Sequence, residues 1–150
     1  MELGVAYFYL KIWGMAAENF KTVGDSNPTS YYFLANIYMN GGNGVCQDLI
    51  QGSWCLKRAS DFGVQKAMVC YASYLMTGYC GIPQNLVEAR RLLEMALPES
   101  ENGLAEFYLG VLLSPVDLIR AIELLKKAAK YDHIHLKDAG GRLDRILLVA

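Results

Sequence analysis

Residues 38–59 read YMNGGNGVCQDLIQGSWCLKRA, the end of one helix, a glycine-rich turn and an amphipathic helix behind it. The pattern returns 37 positions later, where residues 76–96 read MTGYCGIPQNLVEARRLLEMA. Gly41 falls on Gly78, Gly44 on Gly81, Val45 on Ile82, Gln47 on Gln84, Asp48 on Asn85, Leu49 on Leu86, Leu56 on Leu93 and Ala59 on Ala96. Glycine, small polar, aliphatic and alanine positions all keep their order. A period of about 20 to 50 residues is the mark of a solenoid or an array. One helix pair cannot bury its apolar face alone, so stacked copies share a continuous core and present a long surface. The question of function becomes a question about that surface.

Working forward, each second helix opens on a capping residue: Asp48, Asn85 and Asp117. Their side chains can accept from amides that the first turn leaves unpaired, and Asn85 with Glu88 has the spacing of a capping box. Gly52 stands where Ala89 and Ala121 sit in the other copies, which predicts a close helix approach. The first helices are predicted over 29–39 (TSYYFLANIYM) and 66–76 (KAMVCYASYLM). The aromatic and β-branched content of the former also suits a strand; its equivalence to the latter decides for helix. A third copy follows as GLAEFYLGVLL at 103–113 and DLIRAIELLKKAAKY at 117–131, with SPV in place of the glycine loop. Working backward, Val5, Tyr9, Ile12, Trp13 and Ala16 have helical spacing over residues 2–20, and GDSNP at 24–28 ends that helix. Trp13, Ala16 and Ala17 match Leu125, Ala128 and Ala129, so the chain is expected to open on a second helix whose first is absent. Residues 137–149, with Arg142, Asp144 and Arg145, are expected to close the array with a polar outer face. The expected organisation is one domain over 1–150: a partial repeat at 2–20, repeats at 29–60 and 66–97, a shortened repeat at 103–131, and the closing helix.

Composition narrows the partners. A net charge of −1 and a pI near 6.1, with acids and bases interspersed, lack the basic footprint of a nucleic-acid binder. With 53% hydrophobic and 19% charged residues, the chain holds either a large core or a face kept apolar for a partner. The apolar start VAYFYLKIWGMAA has no basic segment before it and is interrupted by Lys11, so it does not read as a signal peptide. No run approaches the roughly 18–20 apolar residues of a membrane span. A mature form from which a leader has been removed stays open.

The residue patterns of catalysis are missing. A phosphate loop of the Walker type needs Gly-Lys-Ser/Thr at its end; here Val45 and Ile82 follow the glycines, which read as turn chemistry. Cys46, Cys55, Cys70 and Cys80 lack CxxC spacing and histidines in a ligand pattern, so zinc is not expected and reduced thiols are favoured. His133 and His135, near Asp132 and Asp138, read as a solvated linker rather than a metal site. Lys126, Lys127 and Lys130, balanced by Glu123, read as a wet helix face. Glu88 and Glu94 lie among arginines, and no serine or cysteine has a histidine partner. Neither enzyme activity nor a cofactor is expected.

The copies resemble the Sel-one-like repeat, an α-solenoid cousin of the tetratricopeptide repeat. The resemblance is carried by Leu34-Ala35, Tyr38, Gly41, Gly44-Val45, Asp48, Leu56 and Arg58-Ala59. It recurs at Ala67, Ala72, Gly78, Gly81-Ile82, Asn85, Ala89, Leu93 and Ala96. The third copy offers Ala105, Leu109-Gly110, Asp117, Ala121, Leu125 and Lys127-Ala128-Ala129. It covers roughly residues 4–131, and departs from the pattern at Gly52 and in the lost third loop. It implies an all-α, right-handed α-solenoid of helix-turn-helix repeats with a concave face, acting as an adaptor or binding module. Among its bacterial members are small proteins that resemble immunity proteins against type VI secretion phospholipase effectors. The resemblance thus implies one protein partner, such an effector, bound and occluded without cofactor or metal, in the bacterial cytoplasm or periplasm with the cytoplasm favoured. The alternative is a scaffold in an envelope or signalling assembly. A secreted, cysteine-bridged hydrolase branch also exists, and the cysteine positions argue against it. Oligomeric state stays open.

If the copies stack as in the tetratricopeptide relatives, one face of each first helix lines the groove. Spacings of three and four select Thr29, Tyr32, Asn36 and Asn40, then Lys66, Val69, Ser73 and Thr77, then Leu104, Phe107 and Val111. The expected partner-binding set is Tyr32, Asn36, Asn40, Lys66, Val69, Ser73, Thr77, Phe107 and Val111. A competing reading places Tyr32, Val69 and Phe107 in the core. Asn36 and Ser73 are the better candidates for contact, because an exposed polar group can supply specificity. Aromatic residues suit the same face, since they dominate interface hot spots.

Overall fold

In the computed structural model, which describes residues 1–131, the apolar spacings become helices. They are α1 (Glu2–Tyr9), α2 (Trp13–Val23), α3 (Thr29–Asn40), α4 (Leu49–Asp61), α5 (Gln65–Thr77), α6 (Leu86–Ala96), α7 (Leu104–Leu113) and α8 (Leu118–Ala128). Short 3-10 turns stand at Gly24–Ser26, Tyr79–Gly81 and Leu97–Glu99. The architecture is all-α, built of helix pairs. The closing helix expected at 137–149 and the histidine pair at 133 and 135 lie outside the described residues. The chain divides into two compact units, Met1–Gln84 with α1 to α5, and a second from Asn85 with α6 to α8.

The first unit corrects the reading of residues 2–20. They form two helices, α1 and α2, not one, and a helix therefore does precede the expected second helix. The break is a left-handed residue, Lys11, at φ 59°. Around it Lys11 N–H donates to the Phe8 carbonyl (3.0 Å) and Ile12 N–H to the Tyr7 carbonyl (2.9 Å). That is a Schellman end, normally built on glycine. Period counting passed over it because apolar spacing continued on both sides and lysine carries no turn signal.

Packing in this unit rests on small residues at helix crossings. Ala16, Ala35, Ala59 and Ala67 are buried, and Gly52 of α4 lies against Met39 and the Ala35 carbonyl of α3. A Cβ at Gly52 would stand 2.6 Å from Met39 Cγ, so the close approach expected there is real. Between α3 and α4 the GGNG loop turns on Asn43 (φ 50°) and Gly44 (φ 85°), with Gly42 and Val45 bonded to each other on either side. Two successive positive φ values on Asn-Gly make this a type I′ turn. Gln47 closes the loop by donating from Nε2 to the Met39 carbonyl at 2.8 Å, and Gln84 repeats the bond to the Met76 carbonyl at the same distance. A Cβ at Gly41 would meet Gln47 N at 2.7 Å, which excludes any larger residue. All three predicted caps form: Asp48, Asn85 and Asp117 accept from the amides of Gln51, Glu88 and Arg120.

In the second unit α7 meets α8 at Gly110, whose added Cβ would lie 2.8 Å from Leu125 Cγ. The chain passes between them without a glycine loop: Val116 and Asp117 N–H both donate to the Leu113 carbonyl. Glu106 of α7 is fully buried, which the sequence did not announce. Its carboxylate takes Lys127 of α8 at 2.8 Å and the hydroxyl of Ser100. Lys127 therefore lies on the solvated face, as expected, and also pairs with a buried acid. Burial pushes the Glu106 carboxyl up, but Lys127, Ser100 and its own backbone amide together hold it below the ordinary carboxylate range.

Two outcomes are expected. Lys11→Gly should stabilise the chain by about 1 kcal/mol by relieving the left-handed strain, and Lys11→Val should destabilise it, both read from denaturation midpoints. Because the folded-state value of Glu106 is lowered, its contribution is present above the ordinary carboxylate range and is lost as pH falls through that lowered value. Lys127→Met should cost about 1–2 kcal/mol near neutrality by taking the exposed ammonium from a buried carboxylate that keeps the Ser100 hydroxyl. The deficit should shrink on acidification, once Glu106 is protonated, in urea titrations across a pH series.

Candidate functional site

The spacing that selected α3's outer face holds in three dimensions. Asn36 Nδ2 donates to the Tyr32 carbonyl and Asn40 Nδ2 to the Asn36 carbonyl, each at 2.7 Å, so both amides are anchored to their own helix. On α5, Ser73 Oγ donates to the Cys70 carbonyl (2.7 Å) and Thr77 Oγ1 to the Ser73 carbonyl (3.2 Å). These bonds hold the side chains in one orientation without any partner.

A cavity of about 220 Å³ opens on this face. Helix α3 supplies Thr29, Tyr32, Phe33 and Asn36, α5 supplies Lys66, and α1 supplies Phe8 and Tyr9. Three of the predicted binding residues, Tyr32, Asn36 and Lys66, thus share one hollow. Its wall is rigid: Phe33 stacks on buried Phe20 (centroids 4.9 Å, planes 6° apart) and takes Phe8 edge-on at 5.0 Å. Tyr32 packs edge-to-face on Phe33 at 5.8 Å. Burial pushes the Tyr32 phenol up, with Cys70 adding to it, so Tyr32 stays a neutral hydroxyl.

The remaining predicted residues divide. Asn40 and Thr77 are exposed and Ser73 is half-buried, on the same two helices but outside the cavity lining. Val69 is 3% exposed and Phe107 8% exposed, so these two belong to the core, as the competing reading held. Tyr32, half-buried, lines the cavity instead. Val111, half-buried, lies with Phe107 on α7 of the second unit. Sequence reasoning missed Phe8, Tyr9 and Phe33. The signal was the crowding of aromatic residues in the first helix, masked by reading α1 and α2 as one element.

A second, more open hollow of about 410 Å³ lies between α2 and the glycine loop, lined by Glu18, Lys21, Tyr38, Gln47 and Asp48 among others. Its polar groups are already committed: Lys21 pairs with Glu18, Gln47 closes the loop, and Asp48 caps α4. All four cysteines are free, and burial pushes the Cys55 thiol up to about 11, which makes it unreactive near neutrality. Among the described residues, no group of three or more histidine, cysteine, aspartate or glutamate side chains could hold a metal, and no helix is long and apolar enough to cross a membrane.

The family described as the Sel1 repeat matches residues 28–61, 66–97 and 98–133. Solved structures share the fold. A Sel1 repeat protein from Oxalobacter formigenes is 22% identical with a TM-score of 0.69, covering 85% of this chain and 96% of its own. The protein c5321, a protective antigen present in uropathogenic Escherichia coli strains and displaying an SLR fold, is 23% identical with a TM-score of 0.67 over 76% of this chain. This chain spans only 25% of the length of c5321. No curated protein matches the sequence.

The division of predicted residues has a direct consequence. Val69→Asp and Phe107→Asp should each cost more than about 3 kcal/mol by burying an unpaired charge. Lys66→Ala and Asn40→Ala should stay within about 0.5 kcal/mol of the parent. Urea midpoints of the four variants check the division.

Proposed function

The chain belongs to the Sel1 repeat family, whose repeats serve protein–protein interaction, and from that premise we propose that it binds one protein partner through the α1–α3–α5 face and blocks it. The supporting observation is the preformed cavity that joins Tyr32, Asn36 and Lys66 to an aromatic wall. Asn36 is held by an intrahelical bond and Phe8, Tyr32 and Phe33 by ring contacts, so little ordering entropy is lost by these residues on association. Tyrosine and phenylalanine around a polar centre match the composition of interface hot spots. A surface of this kind inhibits by occlusion and requires no chemistry of its own.

The most concrete form of the proposal is an immunity protein that covers the active site of a secreted bacterial effector of the phospholipase class. The scaffold reading, in an envelope or signalling assembly, is the second form; the same face would then make weaker, multivalent contacts. A tagged pull-down from the native cell, washed at high salt, separates them. One stoichiometric enzyme that loses activity on mixing fits the immunity reading; several substoichiometric structural proteins fit the scaffold. Asn36→Arg together with Ser73→Arg should weaken capture of that partner at least about a hundredfold while helical circular dichroism stays unchanged, since a bulky charge would fill a half-buried contact surface. Full capture by this folded double variant would move the binding surface elsewhere on the chain.

A further inference from the structure

We propose that the cavity between α1, α3 and α5 receives an acidic side chain, a glutamate or aspartate on an extended segment of the protein partner, with Lys66 as its counter-charge. The inference rests on the reading of this face as the partner site.

Size excludes a cofactor-like occupant. At about 220 Å³ the hollow falls below the roughly 300–1,000 Å³ of small-molecule sites and admits one or two side chains. Charge then selects among side chains. Lys66 is the basic side chain of the lining, and no carboxylate lines the cavity. Elsewhere in the first unit Lys21, Lys57 and Arg58 are each paired with an acid, to Glu18, Asp61 and Asp25, while Lys11, in the left-handed turn outside the cavity lining, has no ion pair among the described residues. Lys66 has no such partner among the described residues.

The position of Lys66 sharpens the point. It is the second residue of α5, where unpaired amides already make the helix end positive and where a lysine is unfavourable for the helix. Thr29, also in the lining, is the first residue of α3. Neither helix carries an acidic residue in its first turn; at α3 Asn27 Oδ1 accepts from the Thr29 amide, whereas no side chain caps α5. The α5 end and the Lys66 ammonium stand at a hollow whose other polar groups are the hydroxyls of Tyr9, Thr29 and Tyr32 and the Asn36 amide. All of these can donate to a carboxylate. The aromatic wall accommodates the methylene stem behind it. An amide of the same shape would keep the packing and lose the charge-assisted bond, which is worth about twice a neutral one.

The test uses the full ¹⁵N-labelled chain titrated with two blocked peptides, Ac-Leu-Glu-Leu-NH₂ and Ac-Leu-Gln-Leu-NH₂, up to a few millimolar. The glutamate peptide should shift the amide resonances of Thr29, Tyr32, Asn36 and Lys66 and bind roughly tenfold tighter than the glutamine peptide. The preference should fall with added salt and vanish in Lys66→Met, which keeps the apolar stem. Equal binding of the two peptides, shifts confined to other residues, or no binding of either would overturn the inference. The captured partner distinguishes this from failure of the broader reading. Capture abolished by Asn36→Arg with Ser73→Arg but unchanged by Lys66→Met keeps the face and removes the acidic occupant. Capture unchanged by both removes the face itself.

Discussion

The approach of α4 to α3 at Gly52 is the constraint on which the first unit depends. Helices normally lie about 8–10 Å apart, with the distance set by the side chains between them. Here the contact is a glycine against Met39 and the Ala35 carbonyl, backed by buried Ala35 and Ala59. Tyr31 stays on the α4 side against Trp54 and Phe62, and the next two aromatic residues turn elsewhere. Phe33 goes inward onto Phe20, and Tyr32, one residue earlier, reaches the rim of the cavity.

Rigidity follows from how the connections are closed. Each of the two glycine loops ends in a glutamine that returns to a carbonyl of the preceding helix, and the helices that follow are capped by Asp48 and Asn85, as α8, which follows no glycine loop, is by Asp117. The loop tip is also tied down: Asn43 Nδ2 donates to the Lys11 carbonyl at 2.7 Å, joining the first glycine loop to the left-handed turn between α1 and α2. Buried or tied backbone groups with partners are the rule in folded proteins, and here a few side chains supply them at each turn. The result is a surface whose shape exists before any partner arrives, the property on which the occlusion proposal turns.

The second unit uses a different device at the equivalent crossing. Gly110 again permits close approach, but the pair is pinned by Glu106 and Lys127 rather than by a loop clamp. Only Glu106 of the pair is enclosed, Lys127 being exposed, and desolvation of the carboxylate offsets much of the attraction, so the pair is weak support for net stability. Its value lies in register: a fully buried carboxylate has one good position, opposite Lys127 and Ser100, and slippage of α7 on α8 would strand it.

Much of the fold was legible in the residues themselves. The return of glycines, caps and alanines at a spacing of 37 determined helix pairs, their order, the three caps, the positive-φ loop glycines and the close contact at Gly52, because each depends on local backbone chemistry. Asn36 and Lys66 were legible as surface candidates through helical spacing, whereas for Tyr32 spacing left groove and core both open. What tertiary structure decided is the rest. Val69 and Phe107 share that spacing yet are buried, since periodicity gives a residue's angle on its own helix but not what packs against it. The division of residues 2–20 into two helices, and with it the aromatic wall from Phe8 and Tyr9, turned on one lysine adopting a left-handed conformation. Lysine has no intrinsic preference for that conformation; the packing of α1 on α2 imposes it, and only the folded chain contains that packing.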